Sequence, residues 1–201
     1  MPTILFSDQL EDWLKSKSPK TVSQLGEVFG RHSFAITIVV LMFLPALPIP
    51  TGGITHIFEI ISMVLALEMT VGMQTIWLPN FAKNIKLGKR TMQNALPFMM
   101  RRIRWFEHYS RPRNSNLLEK RATGMLIGFL MFGFSLAAFL APPFSGLDTL
   151  PALGVVALAL SLILGDVVVL IVGILIGLFG IFLELSLGTI IFKAFGMLLK
   201  K

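Results

Sequence analysis

Phe43-Leu44-Pro45-Ala46-Leu47-Pro48-Ile49-Pro50-Thr51-Gly52-Gly53 interrupts a long apolar stretch, and its reading decides the fold. Three prolines at near-alternate positions remove amide donors and forbid a regular helix. Before the break, Phe34 to Leu44 reads as a β-branched and leucine-rich helix, too short to cross a bilayer alone. After it, Ile54 to Met73 reads as a second apolar helix. The design then recurs: Thr123 to Ala141, a break at Pro142-Pro143-Phe144-Ser145-Gly146, and Leu150 to Leu164. A last apolar run, Val167 to Phe192, contains Gly173, Gly177 and Gly180 and is long enough to cross with tilt.

The composition around these breaks excludes an ordinary soluble domain. Of 201 residues, 54% are hydrophobic and 14% charged, with a mean hydropathy of +0.76; soluble domains carry about 25% charged residues. Between Arg31 and Lys83 the only formal charges are Glu59 and Glu68, and between Arg121 and Lys193 only Asp148, Asp166 and Glu184. Such tracts read as membrane-embedded and are too apolar for disorder. There is no cysteine, so no disulfide framework, thiol nucleophile or thiolate metal site is expected. His32, His56 and His108 lack metal-ligand spacing, and neither a metal nor a cofactor is expected. Asp8, Glu11 and Asp12 interrupt the first 30 residues, which is not the pattern of a cleavable signal peptide.

The expected architecture is all-α: a polytopic helical membrane protein built from two related Pro/Gly-broken repeats, spanning or re-entrant, preceded by amphipathic helices. One membrane domain covers 1–201. Residues 1–32 form amphipathic interfacial helices, 33–82 the first repeat, 83–121 a basic loop, 122–166 the second repeat, and 167–201 the C-terminal helix and tail. Eleven Lys and Arg residues against Glu107 and Glu119 place 83–121 in the cytoplasm. Within that loop Ile103, Trp105, Phe106 and Tyr109 interleave with Arg101, Arg102 and Arg104, a basic rim at headgroup level. The expected partners are the bilayer, a lipid-linked anionic substrate, and further copies or polysaccharide-synthesis proteins. Flanking membrane segments argue against nucleic acid.

The two breaks support a duplication. Gly52 precedes Leu65-Ala66-Leu67 by 13 residues, and Gly146 precedes Leu158-Ala159-Leu160 by 12. Gly72 and Gly165 each follow five residues after the second leucine. Non-helical backbone in a bilayer leaves polar groups unpaired unless it is buried in protein or lines a wet cavity. Paired breaks of this kind point to a transporter-like site, while tight hairpin turns outside the hydrocarbon would give the same pattern. The candidate cavity residues are Pro48, Pro50, Thr51, Gly52, His56, Glu59, Pro143, Ser145, Gly146 and Asp148. His56 and Glu59, one turn apart, are the leading polar pair. Asp166 reads as a surface turn residue, Asp148 equally as a helix cap, and Glu184 as a snorkelling acid near a helix end.

Leu44-Pro45-Ala46-Leu47-Pro48-Ile49-Pro50-Thr51-Gly52, Leu65-Ala66-Leu67, Trp77-Leu78-Pro79, Arg111-Pro112-Arg113 and Pro143-Phe144-Ser145-Gly146 with Leu150-Pro151-Ala152 occur in an order that resembles the bacterial ExoD exopolysaccharide-synthesis family. The resemblance runs from about Val22 to Phe192. Glu68 departs from it, since the family pattern more often has Gln there. The resemblance implies an inner-membrane protein needed for exopolysaccharide production and supplies no catalytic motif. The leading expectation is therefore a non-enzymatic protein that supports exopolysaccharide synthesis or export by moving a lipid-linked or small anionic intermediate. Alternatives are a proton- or ion-coupled transporter using His56, Glu59 and Glu68, a scaffold, and an enzyme. Against the enzyme stands the lack of an Asp-x-Asp or phosphate-cradling Gly-Lys pattern.

Overall fold

The computed structural model describes residues 8, 11–12, 15–16, 33–48, 54–73, 76–77, 101, 104–105, 115–142 and 145–198. Described residues are mostly helical, with no strand among them. Five helices carry the fold: α1 (Ser33–Met42), α2 (Ile54–Val71), α3 (Arg121–Leu140), α4 (Thr149–Leu164) and α5 (Val167–Leu198). A single helical turn, Ser115–Leu118, precedes α3. Near the N-terminus Asp8, Glu11, Asp12 and Lys15 are helical, whereas the expected second amphipathic helix lies outside the described residues.

α1 is half-length, and every one of its ten residues is buried. At about 1.5 Å per residue it rises roughly 15 Å, half of a bilayer's hydrocarbon. Helical bonding runs on past Met42 and tightens only at its end: Phe43 N–H bonds Val39 O at 2.9 Å, Ala46 N–H bonds Met42 O at 3.0 Å, and Leu47 N–H bonds Leu44 O, one residue nearer, at 3.2 Å. Pro48 then stands exposed at the end of this segment. Among the described residues, α3 and the first 21 residues of α5 are the two helices long and apolar enough to cross a membrane.

α2 and α4 end in the same way. Gly72 has φ +79° and Gly165 φ +64°, left-handed values that glycine adopts without steric cost. Met73 N–H reaches back to Glu68 O (2.9 Å), and Asp166 N–H to Ser161 O (3.1 Å). Both are Schellman stops that satisfy otherwise orphaned carbonyls. α3 stops differently. Ala141 is extended (ψ 138°) because Pro142 follows it.

The first four helices pack in a ring, each on two neighbours in the order α1, α2, α3, α4 and back to α1. α5 lies along the outside of α4 and touches α3 less extensively. Glycine sets the close approaches. A Cβ on Gly128 of α3 would come within 2.8 Å of Met69 Cβ and Thr70 N on α2. One on Gly154 of α4 would lie 2.6 Å from Gly177 Cα of α5, and one on Gly180 would lie 2.6 Å from Pro151 Cδ. Small residues let helix backbones meet at this distance, as in membrane helix pairs. The outer face of α5 leaves Ile171, Leu175, Leu178, Phe179, Phe182 and Leu185 exposed.

Candidate functional site

α2 begins just after the first break, and its third residue is His56. One turn on, Glu59 points into the ring. Its carboxylate is fully buried, with Oε2 2.7 Å from His56 Nδ1 and no partner for Oε1. The histidine ring meets Phe139 edge to face, with centroids 5.4 Å apart and planes at 75°. Phe139 stands three residues before Pro142. The ring contact therefore brings the start of α2 and the end of α3, the helix ends that border the two breaks, together at one end of the bundle.

Asp148 joins them from the second break. It stands before α4, half-buried, with its carboxylate near the amides of residues 148 and 149 but not in capping geometry. It lies within electrostatic reach of both Glu59 and His56. Glu184 of α5 lies within reach of Asp148 in turn. The packing register explains why: Gly154 faces Gly177 and Pro151 faces Gly180, so the next turn of each helix sets Asp148 level with Glu184. Sequence reading missed this partner. Glu184 is not near a helix end, since α5 continues to Leu198, and it extends the interface face marked by Gly173, Gly177 and Gly180.

The other expected residues divide. Ser145 and Gly146 are exposed beside Asp148. The Ser145 hydroxyl donates to Pro142 O (2.6 Å) and accepts from Leu147 N–H (3.2 Å), so it serves its own turn rather than the His56–Glu59 pair. Gly146 has φ +71° and open space where a Cβ would be. Pro48 is exposed. Pro50, Thr51, Gly52 and Pro143 lie outside the described residues. Asp166 is buried rather than superficial, and its Oδ1 accepts Val168 N–H at 2.9 Å to cap α5. Glu68 is buried in a separate place, where Oε2 accepts Trp77 N–H at 2.8 Å and ties down the chain after Gly72. Nine residues separate the two acids of α2, two and a half turns, and they have different jobs.

Of the basic rim, Arg101 and Arg104 are exposed, and Arg102 lies outside the described residues. Arg104 pairs with Glu11 and reaches Asp8 at 3.6 Å, while Lys15 pairs with Glu11 at 2.6 Å. The Lys15 and Arg104 charges hold the Glu11 carboxyl below the usual carboxylate range. These contacts tie the N-terminal segment to the basic loop. They leave Arg104 less free for an anion than its sequence suggests. Among the described residues, no three His, Asp or Glu side chains come together closely enough to hold a metal ion.

The family model described as "Exopolysaccharide synthesis, ExoD" matches residues 6–186. An uncharacterized protein of Synechocystis sp. is 26% identical over 156 residues, covering 74% of this chain and 71% of that protein. No solved structure matches the chain. The family match takes in both breaks, the ring of helices and the His56–Glu59–Asp148–Glu184 cluster, and it ties the protein to exopolysaccharide synthesis. The chain belongs to the ExoD family.

Proposed function

We propose that this protein is a multi-pass protein of the bacterial inner membrane that moves a lipid-linked or small anionic intermediate of exopolysaccharide synthesis. The site of movement is the end of the bundle where the two breaks converge. The single observation that carries this reading is the His56–Phe139 contact, which joins the start of α2 to the end of α3 beside Asp148. Membrane insertion is supported by α3 and α5, long and apolar enough to cross, and by the exposed apolar side chains of α5. An apolar face that long is unusual in a water-soluble monomer. The half-length α1, wholly buried in protein, suits a segment that enters without crossing.

The duplication fits the same picture. Exchanging α1 with α3 and α2 with α4 leaves the ring order unchanged. The equivalent helices α2 and α4 share their Leu-Ala-Leu segment and their Schellman glycine.

A specific observation favours ion coupling as the second reading. Three carboxylates and one histidine gather where the breaks meet, and such a cluster repels an anionic substrate. The acids then serve a coupling proton, and in this reading the anionic intermediate passes elsewhere in the molecule. The test is reconstitution of the purified protein with polyprenyl-phosphate lipids and a translocation assay. Wild type should move lipid, and Glu59→Gln should lose this at unchanged membrane abundance. A Glu59→Gln variant that translocates normally would reduce the protein to a scaffold.

A further inference from the structure

The His56–Glu59 pair poses a problem of access. Glu59 is 0% exposed, so its carboxylate exchanges a proton with water only through a neighbour. His56 touches it, and the His56 side chain is 30% exposed. Nδ1 faces Glu59, which leaves Nε2 on the far side of the ring. Phe139 packs against the imidazole and fixes its plane. Asp148, half-buried beside exposed Ser145 and Gly146, is within electrostatic reach of both members of the pair. Exposure thus falls in steps from Gly146 through Asp148 and His56 to Glu59.

The other charges around the pair are few. α1 carries none. α3 carries only Arg121, whose guanidinium bonds Gly72 O at the opposite end of α2. α4 brings none beyond Asp148 before its first turn, and α5 brings Glu184, within reach of Asp148. The unpartnered Oε1 of Glu59 is a second sign of a ligand, because a buried acceptor left unpaired is destabilising. A proton on that carboxyl removes its charge and turns one oxygen into a donor.

We infer that His56 and Glu59 form a proton relay from solvent to the buried face of α2, with the Asp148 carboxylate as an electrostatic attractor at its entrance. A proton from water, drawn by that carboxylate, is taken up at His56 Nε2. The imidazolium then gives its Nδ1 proton to Glu59 Oε2. One proton enters, Glu59 becomes neutral, and His56 returns to neutrality as the other tautomer. No electron moves, and reversal of the same steps releases the proton. Glu184 adds a second carboxylate at the entrance. The relay names the coupling ion of the site proposed above and rests on that reading. Its test uses no lipid-linked substrate, so the relay and the translocation reading can fail separately.

The experiment is time-resolved infrared spectroscopy of the purified full-length protein in nanodiscs after a pH jump. Glu59→Gln identifies the carboxylic C=O band that belongs to Glu59. The rise of that band should slow by about a hundredfold in His56→Gln, which keeps a polar group of similar reach but relays no proton. His56→Ala should behave alike, and added imidazole should restore its rate. Asp148→Asn should slow the same band. A His56→Gln rate equal to wild type, or failure of Glu59→Gln to remove any band, would overturn the relay. An unchanged rate in Asp148→Asn would overturn its entrance.

Discussion

Gly146 and Gly128 show how one residue type meets two separate demands. Gly146 needs its left-handed φ of +71°, and nothing lies within 4 Å of where a Cβ would be. Gly128 has ordinary helical geometry, but a Cβ there would press on Met69 and the backbone of Thr70. Gly146→Ala should therefore cost about 1–2 kcal/mol through backbone strain alone. Gly128→Ala should cost about 1–3 kcal/mol through overpacking between α2 and α3. Thermal unfolding in detergent separates them: Gly146→Asn, which tolerates a left-handed φ, should lose less than Gly146→Ala, whereas Gly128→Asn should lose more than Gly128→Ala. The same order at both positions would contradict this division. At this scale the sequence was partly legible. His56 and Glu59 stand one turn apart and could be paired from spacing alone. The commitment of the Ser145 hydroxyl to its own turn was hidden, because a serine after Pro-Pro-Phe reads the same whether it points in or back.

At the scale of elements, apolar tracts and their proline and glycine ends fixed the helices closely. α4 was expected from Leu150 to Leu164 and runs from Thr149 to Leu164. Expected Thr123 to Ala141 became Arg121–Leu140. Hydropathy marks where polar backbone can no longer be left unpaired, so the ends were readable. Partners were not, because an apolar helix offers many faces of equal hydrophobicity. The α4–α5 contact did leave a trace in the spacing Gly173, Gly177, Gly180, Glu184, which follows one helix face. Had that face been carried one turn further, Glu184 would have been placed beside α4. The close contact yields a prediction for the element pair. Gly154→Leu should force α5 away from α4 at Gly177 and separate Glu184 from Asp148. Cysteines at Ala157 and Gly173, facing positions in the native packing, should then cross-link more slowly than in an otherwise unchanged chain. An unchanged cross-linking rate would show that the two helices are not held at glycine distance.

For the whole molecule, the ring of four helices sets His56, at the start of α2, against Phe139, at the end of α3, at one end of the bundle. The other end gathers the glycine stops of α2 and α4, with Arg121 bonded to Gly72 O at 3.3 Å. This arrangement gives the acids their setting: Glu59 inside, Asp148 and Glu184 towards the exposed turn. It also assigns different sequence features to different ends, which no local motif reveals. The convergence can be measured directly, because the chain has no cysteine of its own. In native membranes, cysteines placed at His56 and Phe139, whose rings are 5.4 Å apart, should be joined by a short bifunctional thiol cross-linker that bridges the space the two rings fill. Failure of this pair to cross-link, under conditions where cysteines at Ala157 and Gly173 do so, would place the two breaks apart and contradict the single site.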